Sequence, residues 1–395
     1  FRIPGINFIL KDNGGTPTQG HVLTVDANGE AGFAAASGGG GGVASDAQYN
    51  TVGGTGAGSA ITSGGTYNTL FGYNAGNDIN TGDYNTLIGY NAGEKLTTGQ
   101  YNVAIGAYSL MKGTNTLCHS NVCVGYYAGE NYSSSQNGGN KNVAIGYKAH
   151  QAGQTSGECV YIGYGAGQEV KSGVNNVAIG QNAGQGAYNQ AGGSQNTSIG
   201  HESGKRFTTG ENNSLLGVFS GDNITTGNDN VCIGANAGDS GTNNLTTGSN
   251  NILIGHDAAA TASNVSNEIT LGNGSIASLR CNVQTISSLS DARDKKNVID
   301  LPEGLNFINN LRPVKFEWST RDGNGKDGSY EHGFIAQDLQ EAQKDNDADY
   351  LKLVMDNDPD RLEASYGKLV PILVKAIQEL TLEVNKLKSN GWRTW

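Results

Sequence analysis

A glycine recurs at positions 72, 89, 106, 125, 146, 163, 180, 200, 217, 234 and 255, and each follows an apolar residue. The surrounding unit reads Asn-x-x-Ile-Gly-x-x-Ala-Gly and ends in a variable polar turn, often Thr-Thr-Gly. Successive gaps are 17, 17, 19, 21, 17, 17, 20, 17, 17 and 21 residues, so the base period is 17 and every departure is an insertion into the turn. Insertions confined to one place describe a constant rung with one loop face. Seventeen residues are too few for a helical hairpin, and Gly and Asn disfavour helix. They suffice for one coil of a parallel β-solenoid, with two short strands and two turns. Pairs such as Leu87/Ile88, Ala104/Ile105 and Leu253/Ile254 then stack on their copies one coil away. Glycine serves where φ is positive or where two backbones approach closely. Asparagine tolerates the left-handed region and bonds nearby backbone, and stacked asparagines can form a ladder. Eleven coils at a 4.8 Å spacing give a rod of roughly 50 Å.

Composition agrees with this pattern. The 61 glycines follow no Gly-X-Y period, which excludes collagen. Apolar residues at fixed offsets from those glycines argue against a flexible low-complexity chain. A rung this thin buries little by itself, so a second surface, supplied by trimerisation around an axis, is expected. The net charge of −11 disfavours nucleic-acid binding, which rests on Lys and Arg neutralising phosphates. No run of about 18 apolar residues offers a membrane span. No signal peptide opens the chain, and Phe1 suggests a fragment or a processed start. Five cysteines without close pairs fit neither a disulfide framework nor a zinc site. Cys123, Cys159 and Cys232 are read as buried thiols at apolar or small positions of the repeat, which points to assembly in a reducing cytoplasm. No metal or cofactor is expected.

Five segments follow in order. Residues 1–36 read as the end of an upstream β module, with strands at Val22–Val25 and Ala31–Phe33 around the Asp26-Ala27-Asn28-Gly29 turn signal. Residues 37–66 form a Gly/Ser-rich linker and lead-in. The solenoid occupies 67–273. Residues 274–289 supply capping strands and a junction, and 290–395 form an α+β domain. The fold class is thus mostly β, a trimeric parallel β-solenoid followed by an α+β domain ending in a coiled-coil helix. In that helix, within 366–388, Tyr366, Val370, Leu373, Ile377, Leu380, Val384 and Leu387 step by 4, 3, 4, 3, 4 and 3, an a/d seam.

The composition changes at Ser290-Asp291-Ala292-Arg293-Asp294-Lys295. A serine hydroxyl becomes nucleophilic when a base takes its proton, and a lysine does this as the free amine. A Ser–Lys dyad is a variant of the triad logic. Ser290 as a helix N-cap, with Asp291 and Asp294 in the first turn, is the structural alternative.

The stretch Ser290-Asp291-x-Arg293-x-Lys295-x-Asn297 resembles the entry of the intramolecular chaperone domain (peptidase family S74) that closes many phage tailspikes and tail fibres. The resemblance continues through Gly304 to Trp318, through His332-Gly333-Phe334-Ile335-Ala336-Gln337 and through the closing helix. It implies Ser290 as nucleophile, Lys295 as general base, His332 as an orienting or polarising group, Asp291 and Arg293 as shapers of the turn, and cleavage between Leu289 and Ser290. Asp294 departs from the apolar residue common in relatives and puts a negative charge beside Lys295. The family also implies a trimer, with loops such as 320–330 and 344–349 reaching the fibre. The repeats resemble the head β-roll of trimeric autotransporter adhesins and, more closely, the repeats of phage and large-virus fibres.

The leading expectation is therefore a homotrimeric virion fibre for host attachment, assembled in the host cytoplasm. Its C-terminal domain would chaperone trimerisation and cut itself off in a single turnover. Its partners would be an upstream fibre, baseplate or capsid component and a host receptor or glycan, without nucleic acid or membrane insertion. The alternative is an adhesin or glycan-binding rod that keeps its chaperone, with Tyr73, Tyr90, Tyr126, Tyr127, Tyr147 and Tyr164 stacking on sugars or packing at an edge. A glycosidase would need paired carboxylates, and Glu94, Glu130, Glu169 and Glu202 show no evident pairing. A membrane-bound transcription factor bearing the same chaperone lacks the membrane segment and the basic region it would need.

Overall fold

Each coil of the repeat is organised around one three-residue strand. The computed structural model describes residues 21–25, 31–35, 43–61, 64–113, 118–132, 139–188, 192–241, 243–276, 278–282, 286, 288, 290–320 and 327–389. The chain divides into two units, 1–229 and 230–395. The first opens with an antiparallel hairpin, β1 (His21–Val25) and β2 (Ala31–Ala35). β3 (Val43–Ser45) then pairs antiparallel with β4 (Thr51–Gly53). From β4 onwards pairing is parallel: β5 (Thr69–Phe71), β6 (Thr86–Ile88), β7 (Val103–Ile105), β8 (Val122–Val124), β9 (Val143–Ile145), β10 (Val160–Ile162), β11 (Val177–Ile179), β12 (Thr197–Ile199) and β13 (Ser214–Leu216). Each strand faces its copy residue for residue, as Thr86↔Val103, Leu87↔Ala104 and Ile88↔Ile105. The stack thus begins one coil before residue 67.

The middle residue of each strand from β5 to β13 points inward, for example Leu70, Leu87, Ala104 and Cys123, all fully buried. The coil's return path is not the second strand expected from the sequence. It is a string of turns in which Ala75 N–H bonds Gly72 O, Asn77 N–H bonds Asn74 O and Ile79 N–H bonds Gly76 O. Asn74 and Gly76 have φ of 51° and 57°. Alternating right- and left-handed residues cannot run extended, yet they still bond sideways to the next rung, as Gly76 N–H to Ala92 O at 2.9 Å. The anchor glycine is required twice over. Gly72 sits at φ 134°, and a Cβ there would lie 2.3 Å from Gly89 O.

The buried asparagines form the expected ladder. Asn85 Nδ2 donates to Asn68 Oδ1 at 3.0 Å and to Gly99 O at 2.8 Å, while Asn85 N–H donates to the same Asn68 Oδ1 at 2.9 Å. The pattern repeats at Asn102 and Asn121. At its start, Asn50 donates through N–H and Nδ2 to the Asp46 carboxylate at 2.8 and 2.9 Å. Burial opposes it, but hydrogen bonds from Asn50 and Gln48 hold the Asp46 carboxyl below its ordinary value.

Cys123 and Cys232 occupy apolar inward positions, as expected, but Cys159 does not. It stands in the ladder, four residues before Gly163, where it receives Asn176 N–H on sulfur at 3.4 Å. Cys118, Cys123, Cys159 and Cys232 are buried and Cys281 is exposed. Burial pushes the Cys118 and Cys232 thiols up to about 12. Within the same core, His150 bonds the Tyr132 hydroxyl at 2.7 Å, and burial holds its imidazole down to about 3.

The second unit carries three rungs, β14 (Val231–Ile233), β15 (Ile252–Ile254) and β16 (Ile269–Leu271), again in register. None of the described residues of 276–288 lies in a strand, and those residues are exposed, so they do not form the capping strands expected there. They carry too few apolar partners to fold onto: Leu279 and Ile286 are 76% and 96% exposed. A small β/α region follows: α1 (Leu305–Asn309), the antiparallel pair β17 (Val314–Glu317) and β18 (Tyr330–Gly333), α2 (Ala336–Asp345), the short pair β19 (Val354–Met355) and β20 (Glu363–Ala364), and α3 (Leu369–Ser389). Its core joins Phe307, Ala348, Leu353, Leu369 and Ile372. Among the described residues no helix is long and apolar enough to cross a membrane.

Candidate active site

Ser290 and Lys295 are brought together by one tight turn. Asp291 is its N-cap, with an extended backbone and a carboxylate that accepts from Arg293 N–H at 2.9 Å. A 3₁₀ turn over Ala292–Asp294 follows, and Lys295 returns to an extended conformation. With about three residues per turn, side chains five apart then meet across it. Lys295 Nζ lies 2.5 Å from Ser290 Oγ and 3.2 Å from the Ser290 carbonyl oxygen. An ammonium donates in this geometry, and a neutral amine at the same place accepts the hydroxyl proton.

Asp291 and Arg293 brace the turn. The guanidinium forks onto the carboxylate, Nη2 to Oδ2 at 2.6 Å and Nε to Oδ1 at 3.1 Å. The arginine beside it holds the Asp291 carboxyl below its usual value. Arg293 is therefore spoken for by Asp291 and is not a bare cation aimed at Lys295. The N-cap of the turn is Asp291 rather than Ser290, which leaves the Ser290 hydroxyl to the lysine. Leu289 lies outside the described residues.

His332 sits on β18 opposite Lys315. It makes no hydrogen bond to Ser290 or Lys295 among the described residues. Instead it lines an apolar cleft of about 410 Å³ with Ile308, Leu311, Phe334, Tyr366 and Leu373. Of the three residues expected to carry chemistry, the fold thus joins two directly.

The closing helix divides its faces. Leu369, Ile372 and Ala376 are buried on the domain core, and Glu379 accepts the Leu305 N–H at the start of α1 at 2.7 Å. The seam residues point elsewhere: Val370, Leu373, Ile377, Leu380, Val384 and Leu387 are 38–63% exposed. Helix packing on its own domain and an apolar seam coexist.

The tyrosines after the anchor glycines are exposed, but their faces are occupied. Tyr73 stacks on Tyr90 at 5.3 Å, Tyr108 then meets Tyr90 and Tyr126 edge-on and stacks on Tyr127 at 4.8 Å, and Tyr126, Tyr147 and Tyr164 stack at 5.6 and 4.9 Å. Sequence reasoning missed a second column, Tyr49, Tyr67, Tyr84 and Tyr101, stacked at 4.9–5.2 Å. Its signal was the Tyr-Asn dipeptide recurring with the period. Glu94, Glu130 and Glu202 each pair with a lysine (Lys95, Lys112 and Lys205), and Glu169 accepts from Gln168.

No curated protein and no solved structure matches the chain. Residues 290–347 match the family described as chaperone of endosialidase, and the match begins at Ser290 itself. A chaperone-of-endosialidase domain behind a parallel β-solenoid is the arrangement of a phage-type tail fibre or tailspike with a C-terminal intramolecular chaperone.

Proposed function

We propose that this chain is the distal part of a homotrimeric virion fibre used for host attachment, and that its C-terminal domain aligns three chains and then cuts itself free at Leu289–Ser290. The observation that carries the reading is the 2.5 Å approach of Lys295 Nζ to Ser290 Oγ at the first residue of the chaperone match. Neutral Lys295 takes the hydroxyl proton, and Oγ attacks the carbonyl carbon of Leu289. The C–N bond breaks, the Ser290 amine leaves with a proton, and an ester joins Leu289 to Ser290 Oγ. Water then hydrolyses the ester, giving a Leu289 carboxylate and restoring the hydroxyl. The forked Asp291–Arg293 pair fixes the turn on which both groups ride. The exposed α3 seam supports three-chain association: helix pairing from local contacts is fast, whereas in-register stacking of distant strands is slow.

The glycan-binding rod is the weaker reading, because the ring faces a sugar would cover are stacked on one another. The decisive measurement is intact mass under denaturing conditions. Fragments 1–289 and 290–395 in wild type, absent in Ser290→Ala and Lys295→Ala, support self-cleavage. One full-length species in all three rejects it.

A further inference from the structure

Among the described residues, the solenoid of the first unit has one uncovered face. In every rung from β5 to β13 the first and third strand residues point away from the core. The third is always Phe, Ile, Val or Leu, and the first is Val, Thr or Ser. Ile88, Ile105, Ile145 and Ile179 are 36–39% exposed, and Leu216 is 49% exposed. No charge interrupts this strip, in a chain whose net charge is −11. Tyr84 and Tyr90 stand two residues before and after β6, so tyrosine columns flank the strip, on one side as far as Tyr101 and on the other as far as Tyr164, and Lys141 and Glu158 farther along the first side neutralise each other at 2.8 Å.

We propose that this face, Thr69 to Leu216, is where copies of the chain pack on one another about a common axis, like rung against like rung. Three features select a second copy as the occupant. The strip repeats every 4.8 Å or so, and another solenoid of the same chain has the same period and meets it along its whole length. Acidic copies repel one another, and an uncharged face is where they can approach closely. The size also fits: nine rungs span about 40 Å, and each strand with the two residues on either side of it about 20 Å, or roughly 800 Å², the share of one partner in a stable interface. Exposed apolar patches of this extent mark interaction surfaces. The inference deepens the trimeric-fibre reading by naming its face.

The test is cysteine cross-linking in the full chain carrying Cys281→Ser, which removes the exposed native thiol. Ile145→Cys and Ile179→Cys are compared with Lys112→Cys, on the turn side of the coil. Native mass spectrometry reports the number of chains, independently of cleavage. Mild oxidation is expected to join two copies in Ile145→Cys and Ile179→Cys, giving a reducible species of twice the chain mass, with at least tenfold less in Lys112→Cys. An intact oligomer with no cross-link at either isoleucine overturns the face while leaving the trimer standing. A monomer overturns both, and a monomer that captures a glycan or an added protein on this strip assigns the face to that partner instead.

Discussion

Cys159→Asn is expected to stabilise the solenoid, although it replaces a fully buried residue. In the intact ladder, an asparagine side chain makes two donations and accepts from the next rung, as Asn102 does with Asn85 Oδ1, Cys118 O and Asn121. Cys159 offers only sulfur contacts, to Gly157 O at 3.2 Å, to Gly173 O at 3.6 Å and from Asn176 N–H at 3.4 Å. Asn142 Oδ1 accordingly accepts from Cys159 N–H but, among the described residues, receives no side-chain amide. Asparagine here would bond Asn142 Oδ1, Gly173 O and Asn176 N–H, the relations Asn85 makes one period apart. At about 0.5–1.5 kcal/mol per net hydrogen bond, with part of each already supplied by sulfur, the gain is about 1–3 kcal/mol. Native-state hydrogen exchange measures it locally. The Asn176 amide should slow by roughly five- to a hundredfold if this rung opens as a unit. Asn102→Cys is the reciprocal change and should cost a similar amount. If Cys159→Asn leaves exchange unchanged or faster while Asn102→Cys destabilises, the ladder is not a set of interchangeable rungs and the reasoning fails.

Three further outcomes are expected. Gly106→Ala puts a Cβ 2.5 Å from Gly125 O at φ 131°, and a strain of at least about 2–3 kcal/mol should lower the unfolding midpoint in guanidinium. The His150 imidazole titrates near 3 when folded, below its usual value, so its contribution is whole above pH 6.5 and is lost on acidification toward pH 3. The wild-type pH–stability curve should therefore be steeper than that of His150→Asn by up to about 1.4 kcal/mol per pH unit in that window; parallel curves would contradict it. Leu380→Asp, on the exposed seam, should reduce the trimer fraction in native mass spectra by tenfold or more while leaving the far-ultraviolet spectrum of the solenoid intact.

The repeating unit was legible because a positive-φ glycine and a buried amide narrow the choice of residue, and both mark the period. The return path was not, because Asn74 and Gly76 serve equally in a strand-ending turn and in a string of turns. Only cross-rung bonding decides between them. Cys159 was misplaced by its chemistry: a thiol looks apolar in a sequence, yet counting back four residues from Gly163 puts it among the amides. The Ser290–Lys295 pair was visible through spacing and resemblance. That Asp291 rather than Ser290 caps the turn depends on backbone angles that a spacing does not contain.

The ladder also has a direction. Each ladder residue's backbone N–H donates to the side chain of its N-terminal neighbour, so the first asparagine needs an acceptor there, and the Asp46 carboxylate is such a group. A carboxylate has no amide hydrogen to hand on, so the series stops there. Apart from the rung of Cys159, each unit of the series presents a backbone donor to one neighbour and a side-chain oxygen to the other. Duplicating or deleting one whole period of the asparagine type therefore leaves this N–H to side-chain series matched, and the number of such periods can change between related genes without a new kind of contact, provided the terminal aspartate stays in place.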